Sequence, residues 1–161
     1  MEKEFLDEVV VNYIKKAEDF IDKYGKIFKM MSDTTITSYE VNHSLIEWNM
    51  VASEITKELV RKTANNQKLK IEYELWNDKK FIEAKRKVSE EQTGKSTIPN
   101  LTEIQTQVRI DNEVEYREWQ YKLMLSQSDV DLIDKIRKDF YQVADNLKNI
   151  NFSLNAERKS I

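Results

Sequence analysis

Eleven basic residues fall between Lys57 and Lys95, against seven acidic ones. They are Lys57, Arg61, Lys62, Lys68, Lys70, Lys79, Lys80, Lys85, Arg86, Lys87 and Lys95. The segment carries +4, whereas residues 1–56 carry −5 and residues 96–161 carry −2. At 100° per residue on a helix, Lys57, Arg61, Lys68, Lys79 and Arg86 fall within about 40° of one another. Lys80, Lys85, Lys87 and Lys95 add charge toward the end of the segment, and Glu72 dilutes it. Cations so placed can neutralise a line of phosphates and release their counterions. Tyr73, Trp76 and Phe81 lie in the same segment and offer rings on which bases could stack. The same residues also suit a plain solvated helix with its aromatics packed inward. Lys57, Arg61, Lys68, Lys79, Lys80, Lys85, Arg86, Lys87 and Lys95 are the candidate nucleic-acid-binding residues.

Other groupings are weaker. Gly94-Lys95-Ser96-Thr97 looks like the end of a phosphate-binding loop, but Ser89 stands where that motif needs its first glycine. Glu90 and Glu91 would repel the phosphates, and no apolar strand precedes them. Asp129, Asp131 and Asp134 suggest a calcium loop, which requires Gly at its sixth position and Glu at its twelfth. Those positions hold Asp134 and Phe140, so a solvated helix face is expected. Cysteine is absent and His43 is the single histidine. Disulfides and thiolate metal sites are therefore excluded, and a His-based triad or zinc site has too few ligands. No catalytic, metal or cofactor residues are expected, and the chain does not read as an enzyme.

Long helices must position the basic residues. Only two glycines and one proline occur in 161 residues, so few tight turns can form. Charged residues make up 34% and apolar ones 40%, which suits a small or elongated core with much exposed surface. Residues 1–31 read as an N-terminal helix with an apolar stripe from Phe5 to Met31, and 32–38 as a linker offering Ser38 as a helix cap. Residues 39–88 read as one long helix whose stripe runs Leu45, Trp48, Ala52, Ile55, Leu59, Leu69, Tyr73 and Trp76, with Lys62 and Asn66 as polar interruptions. About 50 helical residues would span roughly 75 Å, so that helix needs a long partner, another subunit, or both. Residues 89–100 hold a glycine and the proline and read as the loop. Residues 101–158 read as C-terminal helices, with a cap at Asn100 or Thr102 and a second start near Asp111. Their stripe runs Val114, Tyr121, Leu125, Ser128, Leu132, Ile136, Phe140, Val143, Leu147, Ile150 and Leu154. The expected fold is all-α and one domain: an antiparallel helical hairpin plus an N-terminal helix, oligomeric through its exposed seams. No apolar run reaches the roughly 20 residues of a membrane span, and Met1–Phe5 lacks the character of a signal peptide. A soluble protein of a reducing compartment is expected.

The layout of a short acidic first helix, a long helix with Tyr39-Glu40 near its start and Lys79-Lys80…Ala84-Lys85-Arg86 near its end, a loop and a long last helix resembles the phage recombination mediators of the UvsY type. The resemblance spans roughly residues 15–158. Its sharpest element is the basic close of the long helix, where Lys79, Lys80 and Arg86 occupy positions like those of the family's DNA-binding segment. The chain departs from that pattern in placing Lys87-Val88 and then Glu90-Glu91 after Arg86. The resemblance implies a non-enzymatic, ring-forming helical oligomer, a hexamer or heptamer, that binds single-stranded DNA. It implies two protein partners, a RecA-like phage recombinase and the single-strand-binding protein that the recombinase displaces. It also implies a location in the cytoplasm of the infected bacterial host.

Overall fold

The computed structural model describes residues 8–28, 36–91 and 100–159. Every element among them is a helix: α1 (Glu8–Phe28), α2 (Ser38–Glu91), α3 (Leu101–Asp111) and α4 (Glu113–Lys159). No described helix is long and apolar enough to cross a membrane. The chain forms two compact units. The first comprises residues 1–61 and 129–161, and the second comprises residues 62–128. Helices α2 and α4 each contribute to both.

The first unit is built on a three-helix core. Alternating spacings of three and four put Val10, Tyr13, Phe20 and Tyr24 of α1 on one buried face. They meet Val41, Trp48, Ala52 and Ile55 of α2 and Ile133, Phe140, Ala144 and Leu147 of α4. Trp48 is the centre. Its ring stacks on Phe140 at 4.1 Å and meets the Phe20 ring edgewise at 4.2 Å. Its indole N–H donates to the Phe140 carbonyl, which satisfies the one polar atom of a side chain buried this deeply. Each fully buried Ile or Leu here stabilises the unit by about 1.5–3 kcal/mol relative to an exposed one. Salt bridges Lys16–Glu54 (2.7 Å) and Lys23–Glu47 (2.9 Å) flank the α1–α2 contact. Between α2 and α4, Ser38 bonds Asn155, Asn151 bonds Asn42, and Trp48 bonds Phe140. The α4 partner falls in number as the α2 position rises.

The start of α2 differs from expectation in one respect. Ser38 does not cap the helix; its hydroxyl donates to Asn155 Oδ1 at 3.1 Å. Thr37 takes the capping place. Its hydroxyl accepts from the Glu40 backbone N–H at 3.3 Å, and the Glu40 carboxylate accepts from the Thr37 N–H at 2.9 Å. That reciprocal pair needs an acid three residues on; Thr37 has Glu40 there, whereas Ser38 has Val41. In α1, Tyr24 leaves helical dihedrals (φ −114°, ψ 15°) one residue before Gly25.

In the second unit α2 continues past the expected end at residue 88 to Glu91, and α3 begins after Asn100. Of the two caps that the sequence offers, Asn100 and Thr102, the helix uses Asn100. Its side chain accepts from the Thr102 N–H at 3.2 Å, and Glu103 accepts from the Asn100 N–H at 3.3 Å. Asn112 closes α3 with its N–H on the Val108 carbonyl and opens α4 by accepting from the Tyr116 N–H. A small core of Ala84, Ile104 and Val108, with Phe81 against it, joins α2 to α3. Tyr73, Trp76 and Trp119 pack together at 5.8–6.3 Å between ring centroids. Asn66 is buried in this unit, and its amide N–H donates to Gln127 Oε1 at 2.8 Å.

Candidate nucleic-acid interface

The candidate cations divide by what they touch. In the first unit Lys57 is exposed and makes no ion pair among the described residues. Arg61 grips Glu58 with two nitrogens, at 2.9 and 2.5 Å.

In the second unit Lys68 lies 3.8 Å from Glu72. Lys80 is the least exposed of the set, with 22% of its side chain accessible, and lies 3.6 Å from Glu83 and 3.9 Å from Glu115. Lys87 bonds Asp111 at 2.8 Å. That contact, with a second bond from Gln107, holds the Asp111 carboxyl below its ordinary range. Lys79, Lys85 and Arg86 are exposed and have no ion pair among the described residues. They occupy about two turns of one helix. Lys95 and the whole Gly94–Thr97 segment lie outside the described residues.

Two shallow clefts meet at Arg86. One, of about 430 Å³, is lined by Ile82, Lys85, Arg86, Ser89 and Glu90. The other, of about 410 Å³, places Arg86 with Lys80 and Lys87 around Ala84, Asp111 and Asn112. The structure thus gathers Lys80, Lys85, Arg86 and Lys87 around one end of α2. Lys80 and Lys87 reach this surface already holding carboxylates.

The outward face of α2 in this unit is not purely cationic. Ile71, Leu75 and Ile82 are each more than half exposed, at 56%, 66% and 54%. With Lys68, Lys79 and Arg86 they fall within an arc of about 80°. Cations and apolar side chains therefore alternate on one solvent-facing strip. Such a strip can contact both the phosphates and the unstacked bases of a flexible strand, and it can also receive another helix.

Tyr73, Trp76 and Phe81 are half-buried against α3 and α4 and are not displayed beside the exposed cations. The Trp76 indole N–H donates to Glu115 at 2.9 Å. Burial is the main cause that pushes the Tyr73 phenol up. What a reading of residues 57–95 misses is the return of α3 and α4. Arg109 lies with its guanidinium 5.5 Å from the Tyr116 ring centroid, and Lys122 with its ammonium 5.4 Å from that of Trp119. The available signal was the placement of Arg109, Tyr116, Trp119 and Lys122 within one short stretch of an otherwise acidic segment.

Among the described residues no three His, Asp or Glu side chains come together as a metal-binding group. The aspartates at 129–134 behave as a helix surface. Asp134 bonds Arg137 and Lys138 of its own helix, at 2.8 and 2.7 Å, and these contacts hold its carboxyl below the ordinary range. His43 Nδ1 lies 3.1 Å from the Tyr24 hydroxyl and 3.5 Å from Glu47. No family model, no curated protein and no solved structure matches the chain.

Proposed function

We propose that the chain binds single-stranded DNA through the outward face of α2 in its second unit and serves as a recombination mediator. The observation that carries this reading is the set Lys79, Lys85 and Arg86, exposed at one end of α2 with no carboxylate partner among the described residues. Three unpaired cations in two helical turns form a local positive surface on a chain whose net charge is −3. They lie in the segment whose resemblance to UvsY-type mediators is sharpest. The mediator role, the RecA-like recombinase and single-strand-binding partners, the hexameric or heptameric ring and the cytoplasm of an infected bacterium rest on that resemblance.

The fold proposed with this reading is an antiparallel helical hairpin plus an N-terminal helix, and the protein self-associates. Support for self-association comes from the exposed apolar side chains on α2, among them Ile46, Met50 and Val60 in the first unit and Ile71, Leu75 and Ile82 in the second. Apolar surface on that scale favours a partner. A ring would present many copies of a weak cationic strip to one strand, and avidity would multiply them. Binding follows the phosphate line and ignores base sequence, since the chain carries no groove-reading motif.

The same alternation of Ile71, Leu75 and Ile82 with cations favours a second reading, a helical interaction or inhibitor protein, or a virion component, with no nucleic-acid role. Titrating a fluorescent single-stranded oligonucleotide at two salt concentrations separates the readings. Tight binding that weakens steeply with salt supports the first. Absence of binding at low salt, together with stable self-association in light scattering, supports the second.

A further inference from the structure

On the packed side of the second unit lies a smaller cleft, separate from the exposed cations. Tyr73, Asn77 and Phe81 line it from α2, Gln105 and Arg109 from α3, and Tyr116 from α4. The α2 residues are spaced i, i+4 and i+8, which stacks them on one helix face. The volume is about 140 Å³, well under the roughly 300–1,000 Å³ of pockets that hold drug-sized ligands. It suits a single planar ring system. Three aromatic side chains supply faces for stacking. Asn77 and Gln105 supply two primary amides, each with a donor and an acceptor. Neither amide makes a hydrogen bond among the described residues. Arg109, exposed at residue level, adds a cation beside the Tyr116 ring.

We propose that this cleft receives one unstacked nucleobase of a bound single strand. The ring stacks against the aromatic walls, and the two amides and the Arg109 guanidinium bond its edge. Amides that can present either a donor or an acceptor suit any base, in keeping with binding that ignores sequence. The inference rests on the single-strand reading above and adds to it a contribution that does not depend on charge.

The test uses the full chain and two oligonucleotides of equal length and charge, polythymidine and its abasic counterpart, in equal salt. The cleft predicts an affinity for the abasic strand lower by about tenfold, the scale of one base–aromatic stack. The salt slope should be the same for both strands. Gln105→Ala and Arg109→Ala change exposed α3 positions and leave the small core intact. Each should shrink the difference between the strands. Equal affinity for both strands in the wild type overturns the cleft and leaves the phosphate-binding reading standing. If neither strand binds, both fall. Variants that keep the full difference also overturn the cleft. So does thymidine monophosphate that displaces the strand at equal concentration, since that assigns the cleft to a free nucleotide.

Discussion

On the proposed interface, Lys79→Ala combined with Arg86→Ala should lower the salt dependence of DNA binding by an amount that follows from the number of unpaired cations. In the second unit three cations of the basic close, Lys79, Lys85 and Arg86, have no ion pair among the described residues. If each meets one phosphate, the affinity for a single strand falls with a log–log slope of about −0.7 per contact, or about −2.1 per protomer. Raising salt from about 50 to about 200 mM would then weaken binding roughly 20-fold per protomer engaged. The double variant keeps Lys85 alone, so its slope drops to about −0.7 and the same change in salt costs only about threefold. Several protomers on one strand would multiply both slopes, but their ratio stays near three. Lys87→Ala is the internal control. Its ammonium is bonded to Asp111 at 2.8 Å, so its loss should leave the slope near the wild-type value and cost at most about 1 kcal/mol of stability. Fluorescence anisotropy at four or five salt concentrations measures all three proteins, with circular dichroism to confirm that each is helical. Equal slopes for the wild type and the double variant would refute the assignment. A Lys87→Ala slope as shallow as that of the double variant would refute the division into paired and unpaired cations.

Three further outcomes are expected for stability. Trp48→Ala removes a side chain that is 2% exposed and packed between Phe20 and Phe140; it should cost about 3–5 kcal/mol in urea unfolding, and a loss below 1 would contradict the packing. Asn66→Leu replaces a buried amide whose Oδ1 has no hydrogen-bond partner among the described residues, while Gln127 keeps Lys70 at 3.2 Å; the urea midpoint should rise by the equivalent of about 1 kcal/mol, and a fall would show that the amide is worth keeping. Glu47, Asp111 and Asp134 have carboxyls held below their ordinary range by bonded cations. Their contribution is complete above the unfolded value of about 4 and disappears as pH falls through the lower folded values. Stability should therefore drop on acidification below about pH 4, and Asp134→Asn should make that limb shallower; an unchanged limb would exclude Asp134 as a contributor.

The helices were legible where short-range periodicity is decisive. Val10, Tyr13, Phe20 and Tyr24 form a stripe in the sequence and a buried face in the first unit. Trp48, Ala52 and Ile55 do the same on α2. Asn100, one of two caps that the sequence offers, is the one used, and Glu103 completes a capping box with it. The long C-terminal stripe was legible only at its far end. Phe140 and Leu147 are buried, but Val114 and Tyr121 are 72% and 47% exposed, while Ile133 and Ala144, outside the stripe, are fully buried. The cause is the helical repeat. A seam drawn at spacings of three and four assumes 3.5 residues per turn, and a straight helix drifts from it by about 20° per heptad. Over the nearly five heptads from Val114 to Leu147 the drift approaches about 100°, enough to turn a seam from the core to solvent.

The site was legible in its charge and not in its pairing. Counting along residues 57–95 finds the cations, because a helix keeps them near one another whatever surrounds it. It cannot find that Asp111 and Glu115, from the acidic segment, come across to Lys87 and Lys80. Local counting therefore overstates the charge open to phosphate at Lys80 and Lys87 and gives no reason to prefer Lys79, Lys85 and Arg86. Nor can it find the aromatic cleft, whose walls come from three helices. Contacts within one helix turn follow from spacing alone, whereas contacts between helices depend on rotation and register. The division among the cations is of the second kind. It is the part of the candidate interface that had to be seen in three dimensions, and it is what gives the paired and unpaired lysines different expected effects on the salt slope.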